Sequence, residues 1–203
     1  MGLREEKKLR IRASIIENAI ALFRERGFDA TRVQDIARPL ELSDATFFNY
    51  FPTKDAVLTE WVSDLVARSI REAARARPDQ VRSVGRGAAR ALAAQLVPDA
   101  DFLAGAWHRV RQNAANAPPE LVALLAQGQA RGELRRDVAA SQLSDLVVAG
   151  LLAAVRAWLV SAPRDPRELS ARLRVAVDVV LDGSRKRNER VRAPAAGASA
   201  EPG

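Results

Sequence analysis

Apolar residues recur every three or four positions along most of this chain, which is the spacing of one face of an α-helix. No stretch alternates apolar and polar residues between hairpin turns, as a half-buried strand would. The first predicted helix spans about 4–26 and ends at Gly27. Its apolar face is formed by Ile11, Ile15, Ala19, Leu22 and Phe23. The pattern therefore predicts an all-α protein.

Capping residues divide the next part of the chain. Thr31, with Gln34 three residues later, is predicted to form a capping box for a short second helix, and Ser43 to cap a short third helix. A long fourth helix is expected to start at Thr53 and run toward Arg77. These signals predict two short helices between two long ones.

Prolines separate the remaining helices, which are expected near 80–97, 99–116, 119–131, 139–161 and 166–182. Asp165 is predicted to cap the final helix and Gly183 to end it. The last two helices are the most apolar. We therefore expect about nine helices.

Composition excludes several classes of function. The 203 residues are 48% hydrophobic and 28% charged, which is typical of a soluble globular protein. With no cysteine, one histidine and no glycine-rich phosphate loop, most nucleophile pairs and metal clusters are excluded, so we expect no metal and no cofactor. An enzyme that uses carboxylates stays open as an alternative. The longest apolar run, 146–155, is too short to cross a bilayer. This favours a cytoplasmic protein that is not associated with a membrane.

The net charge of +7 is unevenly placed. Residues 1–60 contain ten basic and ten acidic residues, whereas 185–192 contain five basic and one acidic. Charge alone therefore does not indicate nucleic-acid binding by the N-terminal part, and a motif must do so.

That motif lies in residues 27–58, GFDATRVQDIARPLELSDATFFNYFPTKDAVL. It resembles the DNA-binding signature of the TetR family. The resemblance implies a helix-turn-helix domain over 1–60, whose third helix enters the major groove of double-stranded operator DNA. It also implies a helical domain over 61–184 that binds a small-molecule effector and forms a homodimer. Residues 185–203 have the composition of a disordered tail, basic at first and then rich in Ala, Pro and Gly.

The resemblance implies a set of DNA-contacting residues, namely Arg32, Ser43, Thr46, Phe47, Asn49, Tyr50 and Lys54. Thr46, Tyr50 and Lys54 stand where the family contacts phosphates, and Phe47 and Asn49 where it varies its base contacts. The alternative is a structural role for these residues. Ser43 would then only cap its helix, Phe47 would be buried in the core, and Lys54 would be a solvated charge. A second set is assigned to the core alone, namely Val33, Ile36, Ala37, Phe51 and Leu58.

The segment departs from the family pattern at several positions. Pro39 falls inside the second helix and Glu41 replaces a common turn glycine, so this helix is expected to end early. Asp44 replaces a frequent lysine and would repel phosphate. Phe48 stands at a site that is often tyrosine. These changes bear on operator sequence and affinity.

Residues 126–137, AQGQARGELRRD, resemble the link between the seventh and eighth helices of the family. The family's dimer interface is a four-helix bundle formed by the last two helices of each protomer. Candidates for this interface or the adjacent core are Leu143, Leu146, Val147, Leu151, Ala154, Trp158, Leu173, Val177 and Val180.

Effector contacts are expected from aromatic and polar side chains between helices. The candidates are Phe102, Trp107, His108, Arg111 and Trp158. For each of them, packing in the core or exposure at the surface is the alternative. The arginines of this region would suit an anionic effector.

The sequence thus favours a repressor that is released from DNA by its effector. An activator, or a nonspecific architectural DNA binder helped by the basic tail, stays open as an alternative. A membrane-surface role for the tail is less favoured because the tail has no apolar face.

Overall fold

The computed structural model describes residues 2–76, 80–110 and 118–185, and within these ranges it contains nine α-helices and no strand. The helices are α1 Leu3–Arg26, α2 Val33–Ala37, α3 Asp44–Tyr50, α4 Lys54–Ala76, α5 Val81–Leu96, α6 Ala100–Ala106, α7 Pro119–Ala130, α8 Ala140–Leu159 and α9 Pro166–Gly183. Three short 3-10 segments join them, at Arg38–Leu40, Val97–Asp99 and Trp107–Arg109. The all-α prediction is confirmed.

The first four helices share an apolar core. One face of α1 is buried from Ile15 to Phe23 and packs on α2 and α4. Of the residues assigned to the core from sequence, Val33 is half-buried. The others are fully buried, namely Ile36, Ala37, Phe51 and Leu58.

The start of α2 differs from its prediction by one residue. Arg32 occupies the N-cap position, and its backbone N–H donates to Asp35 Oδ2 at 3.0 Å. Thr31 is buried instead, and its hydroxyl donates to the Gly27 carbonyl at 2.8 Å. The capping box of Thr31 and Gln34 is therefore wrong, because the threonine hydroxyl is used to close the turn between α1 and α2.

The early end of α2 is confirmed. The helix stops at Ala37, and Pro39 lies in the 3-10 segment that follows. Glu41 adopts a left-handed backbone conformation with φ of 56°, the conformation that a glycine would supply more easily. The Leu42 N–H donates to the Ala37 carbonyl at 3.1 Å, which closes the turn before α3.

In the C-terminal part, α5 packs between α4 and α9, and α8 packs on α7 and α9. Ion pairs hold α5 to α9: Arg82 pairs with Asp178 and Asp182, and Arg86 pairs with Asp178 at 3.0 Å. The helix predicted near 99–116 is shorter, since α6 ends at Ala106 and the chain turns at Trp107–Arg109. Asp165 caps α9 as predicted, accepting from the Arg167 N–H at 2.8 Å.

By length and composition, the 20-residue α8 is apolar enough to span a membrane, with mean hydropathy of 1.4 over an 18-residue window. The apolar run 146–155 alone is too short to cross a bilayer, but the whole of α8 is long enough. In this fold α8 buries Leu143, Val147, Leu151, Val155 and Trp158 against its neighbours. A core helix of this kind passes the same test as a membrane span.

Gly128 allows a close approach between α7 and two other segments. A Cβ at this position would lie 2.5 Å from Val81 Cγ2 and 3.1 Å from Leu134 Cδ1. We expect Gly128→Ala to lower the free energy of unfolding by about 1–3 kcal/mol through overpacking. Gly105→Ala is the control, because nothing lies within 4 Å of a Cβ there. Denaturant unfolding that finds both variants equally stable would contradict this packing.

Candidate DNA-binding face and effector cavity

Helix α3 is short and is capped by a side chain. The Ser43 hydroxyl accepts from the Thr46 backbone N–H at 3.1 Å, and the two hydroxyls lie 2.8 Å apart. Ser43 is exposed and Thr46 half-buried, so both lie near the surface that the motif assigns to DNA. The cap leaves the first turn of α3 fixed in the conformation that a recognition helix needs.

Two neighbouring rings of α3 have opposite environments. Phe47 is 0% exposed and packs on Phe51, with ring centroids 6.2 Å apart. Phe48 is 49% exposed and meets the edge of Phe47 at 5.5 Å. The predicted base contact by Phe47 is therefore wrong, because successive helical residues point about 100° apart and the core takes this ring. Its four-residue spacing from Phe51 was the signal for burial.

The exposed face of α3 contains Phe48 and Asn49, with Asp44 and Ala45 at its N-terminal end. The Asp44 carboxylate accepts from the Gln34 side chain at 3.3 Å. Arg32 is also exposed and makes no ion pair within 4 Å among the residues described. This face thus offers an aromatic ring, an amide and one basic side chain near the surface.

The end of α3 is held by a residue that the motif did not single out. Arg12 of α1 donates from Nη1 to the Tyr50 carbonyl at 2.6 Å and from Nε to Glu60 at 3.0 Å. Its guanidinium also lies 4.3 Å from the centroid of the Phe51 ring. Arg12 therefore ties α1, α3 and α4 together. Its place on the buried side of α1, four residues before Ile16, is the signal that could have found it.

Lys54 is turned toward the protein. Its ammonium donates to the Phe28 and Thr31 carbonyls, both at 2.6 Å, and lies 4.3 Å from the centroid of the Phe28 ring. Desolvation lowers the pKa of Lys54, and the negative charge of Asp29 opposes this shift. Two of its three N–H donors are therefore used inside the domain. A phosphate contact by Lys54 stays a prediction that only the remaining donor can meet.

Two ion pairs connect the first four helices to the segment around α6. Arg24 forms a two-pronged pair with Asp99, at 2.6 and 2.9 Å, and this carboxylate raises the pKa of Arg24. Arg109 pairs with Asp29 at 2.7 Å and lies 5.0 Å from the centroid of the Phe28 ring. The turn between α1 and α2 is thus held by Lys54 from one side and Arg109 from the other.

An apolar cavity lies between the helices of the C-terminal part. It is narrow, at about 30 Å³, which is room for one or two water molecules. Residues of α4, α5, α7, α8 and α9 form its wall, namely Val66, Ser69, Ile70, Val81, Gly85, Ala88, Ala89, Leu92, Leu121, Leu124, Leu125, Val147, Leu151, Val177 and Leu181. The small residues of α5 recur at 85, 88 and 89, and this was the signal in the sequence.

None of the predicted effector residues that the structure describes lines this cavity. Phe102 packs on Phe23 and Trp61, and Trp158 is buried with its indole donating to the Asp165 carbonyl at 2.8 Å. Trp107 and His108 line a separate surface groove beside α8. Effector contact by these four residues therefore stays a prediction that this cavity does not support, and Arg111 lies outside the described residues.

The interface candidates divide between two sides of α8 and α9. Ala154 and Val180 are half-buried, and Leu146 is 56% exposed. The others are buried within the protomer, namely Leu143, Val147, Leu151, Trp158, Leu173 and Val177. These six lie in the adjacent core, which is one of the two positions predicted for them, and an intersubunit contact by any of them stays a prediction. Val175 at 60% and Val179 at 66% exposure form, with Leu146, an exposed apolar surface that we name the outer face of α8 and α9. The two valines were not among the candidates, although they follow α9 at four-residue spacing.

Comparisons with known proteins agree with this architecture. The family profile "Bacterial regulatory proteins, tetR family" matches residues 15–60. The regulator TcmR of Streptomyces glaucescens is 30% identical over 87% of this chain and 85% of its own length. The repressor DhaR of Mycobacterium sp. (strain GP1) is 24% identical over 77% and 86%. Thermus thermophilus FadR, a repressor solved with lauroyl-CoA, is 28% identical with a TM-score of 0.65, covering 92% of this chain and all of its own.

The helix-turn-helix and the helical C-terminal part define a DNA-binding transcriptional regulator. The chain belongs to the tetR family of bacterial regulatory proteins. Regulators of this family bind operator DNA and small-molecule effectors and act as dimers.

The inward position of Lys54 predicts a contribution to stability. We expect Lys54→Met to lower the free energy of unfolding by about 1–2 kcal/mol, because two backbone carbonyls lose a charged donor. The exposed Lys8 of α1 provides the control variant Lys8→Met, which should be neutral. If Lys54→Met unfolds at the same denaturant concentration as the unchanged protein, the internal role of Lys54 is refuted.

Proposed function

We propose that this protein is a repressor that binds a specific operator as a homodimer and releases it when an effector enters the apolar cavity. The proposal depends most on the exposed face of α3, where Phe48 and Asn49 project from a helix that is capped by Ser43. Because its proposed target is DNA, the protein is proposed to act in the cytoplasm and to bind no membrane.

Phe48 and Asn49 are assigned to the bases. An asparagine can bond an adenine through two hydrogen bonds, and an exposed ring can contact a thymine methyl group. Ser43, Thr46, Tyr50 and Arg32 are assigned to phosphates, which fix the register of α3 in the groove without reading sequence. Lys54 supports them by holding the turn between α1 and α2 and offers its third N–H to a phosphate.

A repressor, an activator and a nonspecific DNA binder differ in their preference for operator DNA and in their effect on transcription. The test is fluorescence anisotropy with labelled DNA from beside the protein's own gene, against scrambled DNA, over a salt series. A specific regulator should prefer the native fragment by about 1000-fold or more. Equal affinity for both fragments would favour the architectural alternative. A transcription assay on the bound promoter separates repression from activation.

Variants of the exposed face sharpen this test. Asn49→Ala and Phe48→Ala should each cost about 1–3 kcal/mol on the native fragment and relax preference at one base position. Arg32→Ala should weaken binding to both fragments alike and reduce the salt slope by about 1. Phe48→Ala that leaves specificity unchanged would show that this ring does not contact bases.

The outer face of α8 and α9 is proposed as the dimer interface. Leu146, Val175 and Val179 are each more than half exposed in the protomer, and large apolar side chains grouped in this way mark an interaction surface. A four-helix bundle with a second copy would bury them and place two α3 helices to read a palindromic site.

Val179→Glu should convert the dimer to a monomer, because a charge would then be buried without a partner. Analytical ultracentrifugation checks the mass. Leu9→Glu is the control, since Leu9 is similarly exposed on α1, away from this face. A Val179→Glu protein that still sediments as a dimer would place the interface elsewhere.

Release from DNA is proposed to start at the cavity. An effector larger than the present space must push helices apart, and α5 resists because Arg82 and Arg86 fix it to α9. The displacement then falls on α4, which begins at Lys54 beside the turn that Arg109 also holds. The bound state of Thermus thermophilus FadR, solved with lauroyl-CoA, supports an effector with a large apolar part.

A further inference from the structure

A side-chain hydrogen bond joins α2 to α3 at the protein surface. Gln34 of α2 donates from Nε2 to Oδ2 of Asp44, the first residue of α3, at 3.3 Å. Both side chains are exposed, and the neighbouring Ala45 is exposed as well. In a helix-turn-helix, the first residues of the recognition helix are the ones that contact base edges. The pair of Gln34 and Asp44 therefore lies where the operator would be read.

The Asp44 carboxylate is not used to cap α3. The Ser43 hydroxyl accepts from the Thr46 backbone N–H, which is the bond that a cap supplies. Within the part of the chain that the structure describes, Asp44 bonds to Gln34 and no basic nitrogen lies within 4 Å of its carboxylate. Oδ1 is therefore available to accept a hydrogen bond from another molecule.

A carboxylate at this place has one well-matched partner on DNA. Phosphate oxygens repel it, and guanine and thymine present acceptor oxygens in the major groove. Cytosine presents the N4 amine there, which is a donor. Adenine also presents an amine, but its N7 acceptor lies beside that amine and needs a donor that an ionised carboxylate lacks. The chemistry of Asp44 therefore selects cytosine.

We infer that Asp44 reads a cytosine of the operator, with Oδ1 accepting from the N4 amine while Gln34 holds the carboxylate through Oδ2. The inference rests on the operator binding proposed above. Gln34 is a positioning residue, since it contacts Asp44 and orients it. Ala45 leaves the approach to the base open because its side chain is a single methyl group. The repulsion that Asp44 exerts on phosphates is thus offset at sites that contain the matching cytosine.

Selection from a randomised library of double-stranded DNA tests the inference on the full chain. The site selected by the unchanged protein should contain a cytosine in each half-site that Asp44→Ala no longer selects, while the other positions keep their preferences. Asp44→Asn should shift this position toward adenine, because an amide both donates and accepts. Replacing this C·G pair in one half-site should weaken binding of the unchanged protein by about 5- to 150-fold and leave the affinity of Asp44→Ala nearly unchanged.

Affinity for scrambled DNA separates base reading from a structural role in α3. Asp44→Ala should bind scrambled DNA more tightly than the unchanged protein, because a charge that repels phosphates is lost. Glu41→Gln is the matched control, since it removes an exposed carboxylate from the turn before α3. It should strengthen binding to all DNA alike and leave the selected site unchanged.

A variant of Gln34 tests its positioning role. Gln34→Met keeps the length of the side chain but loses the hydrogen bond to Asp44. It should reduce the preference for the cytosine about two- to tenfold and leave the preferences at other base positions as they are. Thermal denaturation of each variant verifies that it is folded.

The possible results lead to different conclusions. If Asp44→Ala selects the same half-site as the unchanged protein, or loses affinity for selected and scrambled DNA alike, Asp44 only stabilises α3 and the inference is overturned. A cytosine preference that Gln34→Met does not change would overturn the positioning role. An unchanged protein that selects no site refutes the proposed operator binding and this inference with it. A protein that selects a site without this cytosine refutes the inference alone.

Discussion

The ammonium of Lys54, held between two backbone carbonyls, joins the start of α4 to the turn between α1 and α2. Phe28 and Thr31 lie in the turn after α1, where the Phe28 carbonyl also accepts from the Thr31 N–H at 3.3 Å and the Lys54 ammonium donates to both carbonyls. A buried carbonyl without a donor is costly, and a charged donor satisfies two at once. Because Lys54 is the first residue of α4, the same bonds fix the angle at which α4 leaves the domain. The lysine therefore links the turn between α1 and α2 to α4, which forms part of the cavity wall.

Arg109 gives this turn a second attachment. It reaches Asp29 and the Phe28 ring from the segment after α6, while Arg24 reaches back to the buried Asp99. Both pairs cross between the N-terminal helices and the C-terminal part. In the proposed release, an effector that displaces α4 would strain contacts that both parts share, which would connect the cavity to the distant α3.

Local patterns predicted the helices well, because caps, prolines and periodicity act over a few residues. Predictions failed where a side chain could make either of two local contacts, or where either of two adjacent side chains could be buried. Thr31 was expected to cap α2 and instead closes the preceding turn with Gly27. Phe47 and Phe48 differ by one position, and only packing against Phe51 decides which ring is buried.

The cavity was beyond local patterns for a different reason. Its wall joins five helices that are distant in sequence, and the small residues Ala88 and Ala89 lie in it among larger side chains. Aromatic residues were expected to line a pocket, but Trp158 is buried in the core and its indole N–H donates to the Asp165 carbonyl at the start of α9. Which side chains meet across five helices follows from their packing angles, and no single helix encodes these.

In the proposed dimer, the two sides of α8 and α9 would link effector binding to dimer formation. Val147, Leu151 and Val177 face the cavity, while Leu146 and Val175 lie on the outer face, one or two positions away. A Cβ at Gly150 would lie 3.3 Å from Ala176 Cβ, so the two helices are in close contact. A pair packed this closely, and fixed further by a second copy, moves as a unit. Dimerisation would therefore stiffen one wall of the cavity. An effector that enlarges the cavity would then displace mainly α4, the helix that follows α3.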